Sequence, residues 1–303
     1  MDRREFLKTL GVTTLVGALG PESALAKLAQ THAAPPSLVT VKNGEPAQLV
    51  RAAVEALGGM SRFVSRGDVV VVKPNIGWDR LPEQAANTNP DLVAEIVRMC
   101  FEAGAKKVLV FDNTCNRPQR CYLRSGIQNA AKEAGAEVSY VHEQKFRSVD
   151  IREGVELKSW PFYRDALEAD VFINVPIAKH HSMARLTLGL KNIMGVIGGD
   201  RGMIHNRFAQ KIVDLNTVIR PKLTIIDGYR ILTANGPQGG TPRDVRLLKA
   251  VIASPDRVAA DACATAWFGL KPQDLDYLVE AHRRGLGEID LRKLVTREID
   301  LAS

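Results

Sequence analysis

Along this chain, short runs of β-branched and other apolar residues alternate with longer segments in which apolar positions recur every three or four residues. The short runs, at 39–41, 69–72, 108–111, 138–141, 171–177, 223–226, 251–253 and 299–301, read as strands. The longer segments, at 47–57, 90–103, 125–134, 208–219, 256–267 and 275–284, read as amphipathic helices. Pro90 sits where a first helical residue belongs, and Gly58-Gly59, Gly104 and Gly135 stand at helix ends. Alternation of this kind builds βαβ units, so the pattern predicts an α/β fold, a largely parallel, doubly wound sheet with helices on both faces. Residues 142–165 break the rhythm and point to a small β insertion, a hairpin of 148–151 with 154–157.

The stretch 171–206 organises the rest. Its apolar run to Ile177 reads as a strand buried on both faces, and it stops at Lys179, His180 and His181. A helical period follows, with Leu186, Leu190, Ile193 and Ile197 on one side and Lys191 and Asn192 off that stripe. Gly198-Gly199-Asp200 ends it, and Arg201 and His205 follow in a loop. Three of the six histidines lie in this part of the chain. They fall just past the carboxyl end of a central strand, where open α/β sheets hold ligands. Other predicted strands end in the same way: Lys73 and Asn75, then Asp112 with Asn113 and Thr114, then Asp227 and, further on, Asn235. In a parallel sheet these positions share one edge, so the pattern predicts a single crevice.

Ahead of the fold, residues 1–26 carry Arg3-Arg4-Glu5-Phe6-Leu7-Lys8, a mild apolar run and Ala24-Leu25-Ala26. This resembles a twin-arginine export signal with its small-residue cleavage site, with Asp2 where Ser or Thr is usual. The apolar run is too short to span a bilayer, which needs about 20 residues, so no stable membrane span is expected. The organisation implied is a signal at 1–26, a flexible lead at 27–37 and a single α/β domain at 38–303, located in the periplasm. The translocase is the first expected partner. That route carries folded proteins, often with a cofactor already inserted.

Charge alters the picture modestly. The formal net charge of +7 comes from 41 Lys and Arg against 34 Asp and Glu, and it is scattered with no long basic block. Such an excess suits a small anionic ligand. No nucleic-acid reading motif accompanies it, so nucleic acid is not an expected partner.

Several segments follow one another in an order that carries a resemblance: VVVKPN at 70–75, Thr88-Asn89-Pro90, VPIAKHH at 175–181, TLGLKNIMG at 187–195, His205, Ile226-Asp227-Gly228 and NGPQG at 235–239. Together they resemble the domain-of-unknown-function 362 family, over roughly residues 69–270. The resemblance implies little about chemistry, although iron–sulfur clusters figure in many descriptions of that family. Here His180 stands where the family commonly has Thr, and the ferredoxin-type cysteine run of some members is missing.

The four cysteines, Cys100, Cys115, Cys121 and Cys263, contain no C-x-x-C pair, which argues against an iron–sulfur cluster. Cys100 and Cys263 lie on apolar helical patterns and read as core. Cys115 and Cys121 flank a five-residue spacer beside the Asp112 strand end, open to a disulfide, to a pair of thiol ligands or to free thiols.

Three functional readings remain open. In the first, a small anion is held by Lys179, Lys191 and Arg201, with Lys73, Asn75, Asn192 and Asn235 around it, and His181, His205 and Lys191 carry acid/base chemistry. In the second, His180, His181, His205, Asp112 and Asp227 provide ligands for a transition metal, with a redox partner to match. In the third, a periplasmic module carries a metal or ligand without turning it over; an iron–sulfur-associated electron carrier is a variant of these. The glycine-rich loop at 235–240 has neither established phosphate-loop pattern, and no G-x-S-x-G elbow exists. The expectation taken forward is a metal-assisted, redox or non-redox, enzyme acting on a small anionic substrate at the carboxyl ends of the strands.

Overall fold

The structure is a computed structural model that describes residues 35–303, so the expected signal at 1–26 and most of the lead lie outside the described residues. In chain order the elements are β1 (Leu38–Lys42), α1 (Pro46–Ala56), β2 (Val69–Pro74), α2 (Pro90–Glu102), β3 (Lys107–Val110), α3 (Pro118–Arg124), α4 (Ile127–Glu133) and β4 (Glu137–Val138). Then come β5 (Phe146–Asp150), β6 (Ser159–Tyr163), α5 (Arg164–Glu168), β7 (Val171–Val175), β8 (Ile177–His181), β9 (Arg185–Thr187) and α6 (Gly189–Asn192). The last are α7 (Phe208–Val218), β10 (Leu223–Leu232), β11 (Val245–Ser254), α8 (Arg257–Ala264), α9 (Asp276–Arg283) and β12 (Thr296–Asp300).

The main sheet runs β12-β1-β11-β10-β7-β2-β3-β4. Pairing is parallel from β10 to β4 and between β1 and β12, while β11 lies antiparallel to both neighbours. The largely parallel α/β architecture read from the sequence is therefore the one the chain adopts. The alternation that makes it so is visible within strands. Val70 and Val72 of β2 join one apolar cluster, with Leu49 of α1 and Leu92 of α2, while Val71 joins the other, with Leu215 of α7 and Leu278 of α9. Successive side chains of a strand point to opposite faces, so β2 has a core on each side.

Helix ends follow the expected chemistry. Asn89 caps α2 by accepting from the amides of Asp91 and Leu92, ahead of Pro90 at the first helical position. Asp256 caps α8 through the amides of Val258 and Ala259.

Chain order reverses between β2 and β7. From β2 the chain moves outward to β3 and β4, and β7 then lands on the other side of β2 and leads on to β10. Ligand crevices of open α/β sheets form at such a switch point.

Several boundaries differ from the sequence pattern. The run 171–177 is two strands broken at Pro176, and β8 continues to pair with β10 and turns back into β9. Lys179, His180 and His181 thus stand on a strand rather than in a loop. The expected helix beyond them is only α6 followed by a 3₁₀ turn at Ile193–Val196. The inserted hairpin exists, with its second strand later than expected: β5 pairs with β6 in the register Phe146↔Tyr163 to Asp150↔Ser159. The strand expected to end at Asp227-Gly228 runs on to Leu232, because Gly228 leaves room for Trp267, whose ring atoms would lie 2.5 Å from a Cβ there.

Candidate functional site

A cavity of about 490 Å³ opens at the carboxyl ends of β2, β3 and β8. One wall is a polar lattice. Lys73, fully buried at the end of β2, lies 2.8 Å from Asp112 Oδ1, and its Nζ also donates to Pro74 O and to Asn192 Oδ1. Asp112 Oδ2 accepts from the amide of Ile76 at 2.6 Å. Asn192 holds the lattice together: its Oδ1 also accepts from Asn75 Nδ2, and its Nδ2 donates to Lys73 O and to Asn174 Oδ1. Gly195 closes over the ion pair, since a Cβ there would fall 1.7 Å from Asp112 Oδ1 and 2.5 Å from Lys73 Nζ. Its carbonyl accepts from the amide of Asn113 at 2.8 Å, which ties the 193–196 turn to the end of β3.

The other wall carries charge of one sign. Lys179 Nζ donates to Asn75 Oδ1 at 3.2 Å and to Ala86 O at 2.5 Å. Lys191 Nζ lies 3.3 Å from Met194 Sδ, 3.2 Å from His205 Nε2 and over the Phe208 ring. Arg201 donates to the carbonyls of Asn113 and Thr114. Among the described residues, the only ion pair between side chains of the cavity lining is Lys73–Asp112. Burial pushes Lys179 down to about 7 and Lys191 to about 8. Burial also weakens the hold of Lys73 on its proton, opposed by the adjacent Asp112.

The two histidines are neutral, and their partners fix the tautomers. His181 Nδ1 accepts from the amides of Met183 and Ala184, so the proton sits on Nε2. His205 Nδ1 faces the carbonyl of Gly202 at 3.3 Å and must carry the proton, which leaves the lone pair of Nε2 for Lys191. Burial, then the Lys191 charge, lowers both: His181 to about 2, His205 in the same direction. The rings stack with centroids 5.5 Å apart, and Phe208 stacks on His205 in turn.

The cavity thus gathers Lys73, Asn75, Asp112, Cys115, Lys179, His181, Lys191, Asn192, Arg201 and His205 of the residues expected from the sequence. Four others lie elsewhere. Asp227 is buried and takes the amides of Asn89 and Tyr229 on its two oxygens, which pins the start of α2 to β10. Asn235 donates to Asp244, and His180 accepts from the amide of Gly236. Cys121 is buried with its sulfur 3.8 Å from Gly77 O, while Cys115 is exposed, and both are free thiols. Of the expected metal set, His181, His205 and Asp112 line the cavity while Asp227 lies outside it; Asp112 faces Lys73 and the Ile76 amide, and Asp227 the amides of Asn89 and Tyr229. Among the described residues no three His, Cys, Asp or Glu side chains are placed to hold a metal.

Two contributors were not singled out from the sequence as site residues. Asn174 interrupts an apolar strand, and a polar residue inside VFINV is itself the signal. Asp261 of α8 accepts from the amides of Gly189 and Leu190 at 2.6 and 2.9 Å, anchoring the start of α6 and so placing Lys191 and Asn192. Burial pushes Asp261 up to about 7 against those two bonds.

Residues 70–266 match the family described as Domain of unknown function (DUF362). The chain is 32% identical over 248 residues to a thylakoid-associated protein of Synechocystis sp. (strain ATCC 27184 / PCC 6803 / Kazusa), covering 78% of this chain and 74% of that one. Among solved structures it is similar to the lactate racemase apoprotein from Thermoanaerobacterium thermosaccharolyticum, with a TM-score of 0.49 and 12% identity. That match covers 76% of this chain and only 56% of the length of the racemase, and no activity carries over at that distance.

Proposed function

The chain belongs to the DUF362 family, and because that name assigns no chemistry we propose a function from the cavity itself: an enzyme that binds a small carboxylate or phosphate and moves protons on it. The observation that carries this reading is the trio Lys179, Lys191 and Arg201, which lines one cavity and of which none is paired with a carboxylate among the described residues. Gathered cations repel one another and lose hydration, a cost that a bound anion relieves. Next to them stand the neutral imidazoles of His181 and His205, one offering Nε2–H to the cavity as a hydrogen-bond donor and the other an Nε2 lone pair that can take a proton from Lys191. Metal assistance, expected from the sequence, is not part of this reading: among the described residues Asp112, the carboxylate that lines the cavity, lies against Lys73.

Calorimetric titration of the full chain with a series of small mono- and dicarboxylates and with inorganic phosphate tests the reading. At least one anion should bind, and Lys179→Met and Arg201→Met should each weaken it by roughly ten- to hundredfold, the worth of a hydrogen bond to a charged group. Equal affinity in both variants and the parent sinks it.

We also propose that the protein is exported by the twin-arginine route, from Arg3-Arg4 and the weak apolar run behind them. Among the described residues no helix is long and apolar enough to cross a membrane. Replacing both arginines by lysine should leave unprocessed precursor in the cytoplasm. Normal appearance of mature protein outside it would count against this route.

A further inference from the structure

Three lysines line the cavity, and their surroundings differ in kind. Lys73 is held by a carboxylate, a carbonyl and an amide oxygen. Lys179 is held by two neutral oxygens, which accept hydrogen bonds but cannot accept a proton. Among the described residues Lys191 Nζ meets no oxygen acceptor. Its Nζ meets a thioether, an aromatic face and the Nε2 of an imidazole whose proton is committed to the other nitrogen. An amine becomes a nucleophile only when it sheds its proton. The carboxylate beside Lys73 favours the charged amine. Lys191 instead has a neutral base in contact to take its proton, and its soft, buried surroundings do little to keep it charged. Burial acts in the same direction and outweighs Cys115, which opposes it, while the Arg201 charge adds to it.

We infer that Lys191 is a covalent nucleophile towards the carbonyl of a small 2-oxo acid, with His205 as its base and then its acid. This rests on the anion site proposed above, since Lys179 and Arg201 must supply the charge that holds the carboxylate. The Lys191 ammonium first gives one proton to His205 Nε2 at 3.2 Å, and the free amine then adds its lone pair to the carbonyl carbon. As the C–N bond forms, the C–O π pair moves onto oxygen, and a second proton passes from nitrogen to that oxygen, giving a carbinolamine. The imidazolium returns the first proton to the hydroxyl, the C–O bond breaks with loss of water, and the result is a protonated imine with His205 neutral again. No oxidant, reductant or further reactant is required, and the step reverses by hydrolysis. His181, with Nε2–H and both amide bonds on Nδ1, is a fixed donor and cannot serve as the base without breaking that arrangement.

The class of substrate follows from the parts. A carbonyl is what an amine captures, a carboxylate is what the cations hold, and about 490 Å³ admits a short chain rather than a macromolecule. The experiment is borohydride trapping. The full chain is incubated with glyoxylate, pyruvate, 2-oxobutyrate, oxaloacetate or 2-oxoglutarate, reduced, and examined by intact mass and peptide mapping. At least one acid should leave a single reduced adduct on Lys191, absent in Lys191→Met. His205→Ala should slow its formation by roughly a hundredfold, the scale of a lost acid/base group. An adduct on Lys179 or on scattered surface lysines overturns the assignment. So does a parent protein that binds carboxylates by calorimetry and yields no adduct with any of the five, an outcome that leaves the anion site standing. Absence of both binding and adduct removes the two readings together.

Discussion

Lys73 and Lys191 are both buried, both line the same cavity, and their chemical situations are opposite. Lys73 sits inside a closed lattice in which Asp112, Asn192 and Pro74 O satisfy it, and Asn192 is itself bonded to Asn75 and Asn174. Lys191 sits on the facing wall against sulfur, an aromatic ring and one imidazole lone pair. The first is a structural charge, balanced at home. The second is a charge left for something else to balance. Burial alone does not tell a scaffold lysine from a functional one; the neighbours do.

Removing the balanced charge should therefore have the largest effect. Lys73→Met leaves Asp112 buried beside a single amide donor, and such broken pairs cost about 3–5 kcal/mol. Denaturant melting measures it, and a loss under 1 kcal/mol would put the two walls on an equal footing. Lys191→Met should change the stability of the empty protein by less than about 1 kcal/mol, or raise it, since it removes a desolvated charge and keeps a similar volume. The difference between the two variants is the comparison in one number.

The walls should also part with pH. The ordinary value for lysine is 10.5, and the folded value of Lys179 is about 7. Between those values the unfolded chain holds a proton that the folded chain has shed, so the stability of the empty protein should rise with pH through that window and be lowest below about 7. Anion affinity should run the other way, falling by up to about tenfold per pH unit for each proton the complex needs. Affinity that stays flat from pH 6 to 9 would show that the lysines do not carry the binding. The smallest effect concerns the thiols. Exposed Cys115 should react with iodoacetamide well before buried Cys121, with partial protection of Cys115 by a bound anion, and peptide mapping reports both rates.

How much of this could be read from the chain depends on how one-sided each segment is. VVVVKP at 69–74 is buried on both faces and reads plainly as a central strand whose polar tail meets the crevice. The stripe Leu186, Leu190, Ile193 and Ile197 misled, because residues 186–198 are buried on every side and a period of three or four no longer marks a face. Asp227 misled for a different reason: Asp-Gly is turn chemistry, and only the packing of Trp267 over Gly228 shows that the strand goes on. The convergence of Lys73, Asp112, Lys179 and His181 was legible because parallel topology brings strand ends to one edge. Their backbone partners were not, since Ala86 O on Lys179, the Ile76 amide on Asp112 and the two amides on His181 come from backbone paths that no pattern of polar residues specifies.

Gly195 offers a control that no charge substitution can. An alanine there adds one methyl group where Asp112 and Lys73 already stand, so the lesion is one of volume alone. The variant would keep each titratable group of the parent and the same net charge, yet its cavity wall would be forced apart. A purified Gly195→Ala protein that folds and no longer takes up anions would separate architecture from composition, showing that these lysines work only when held in register.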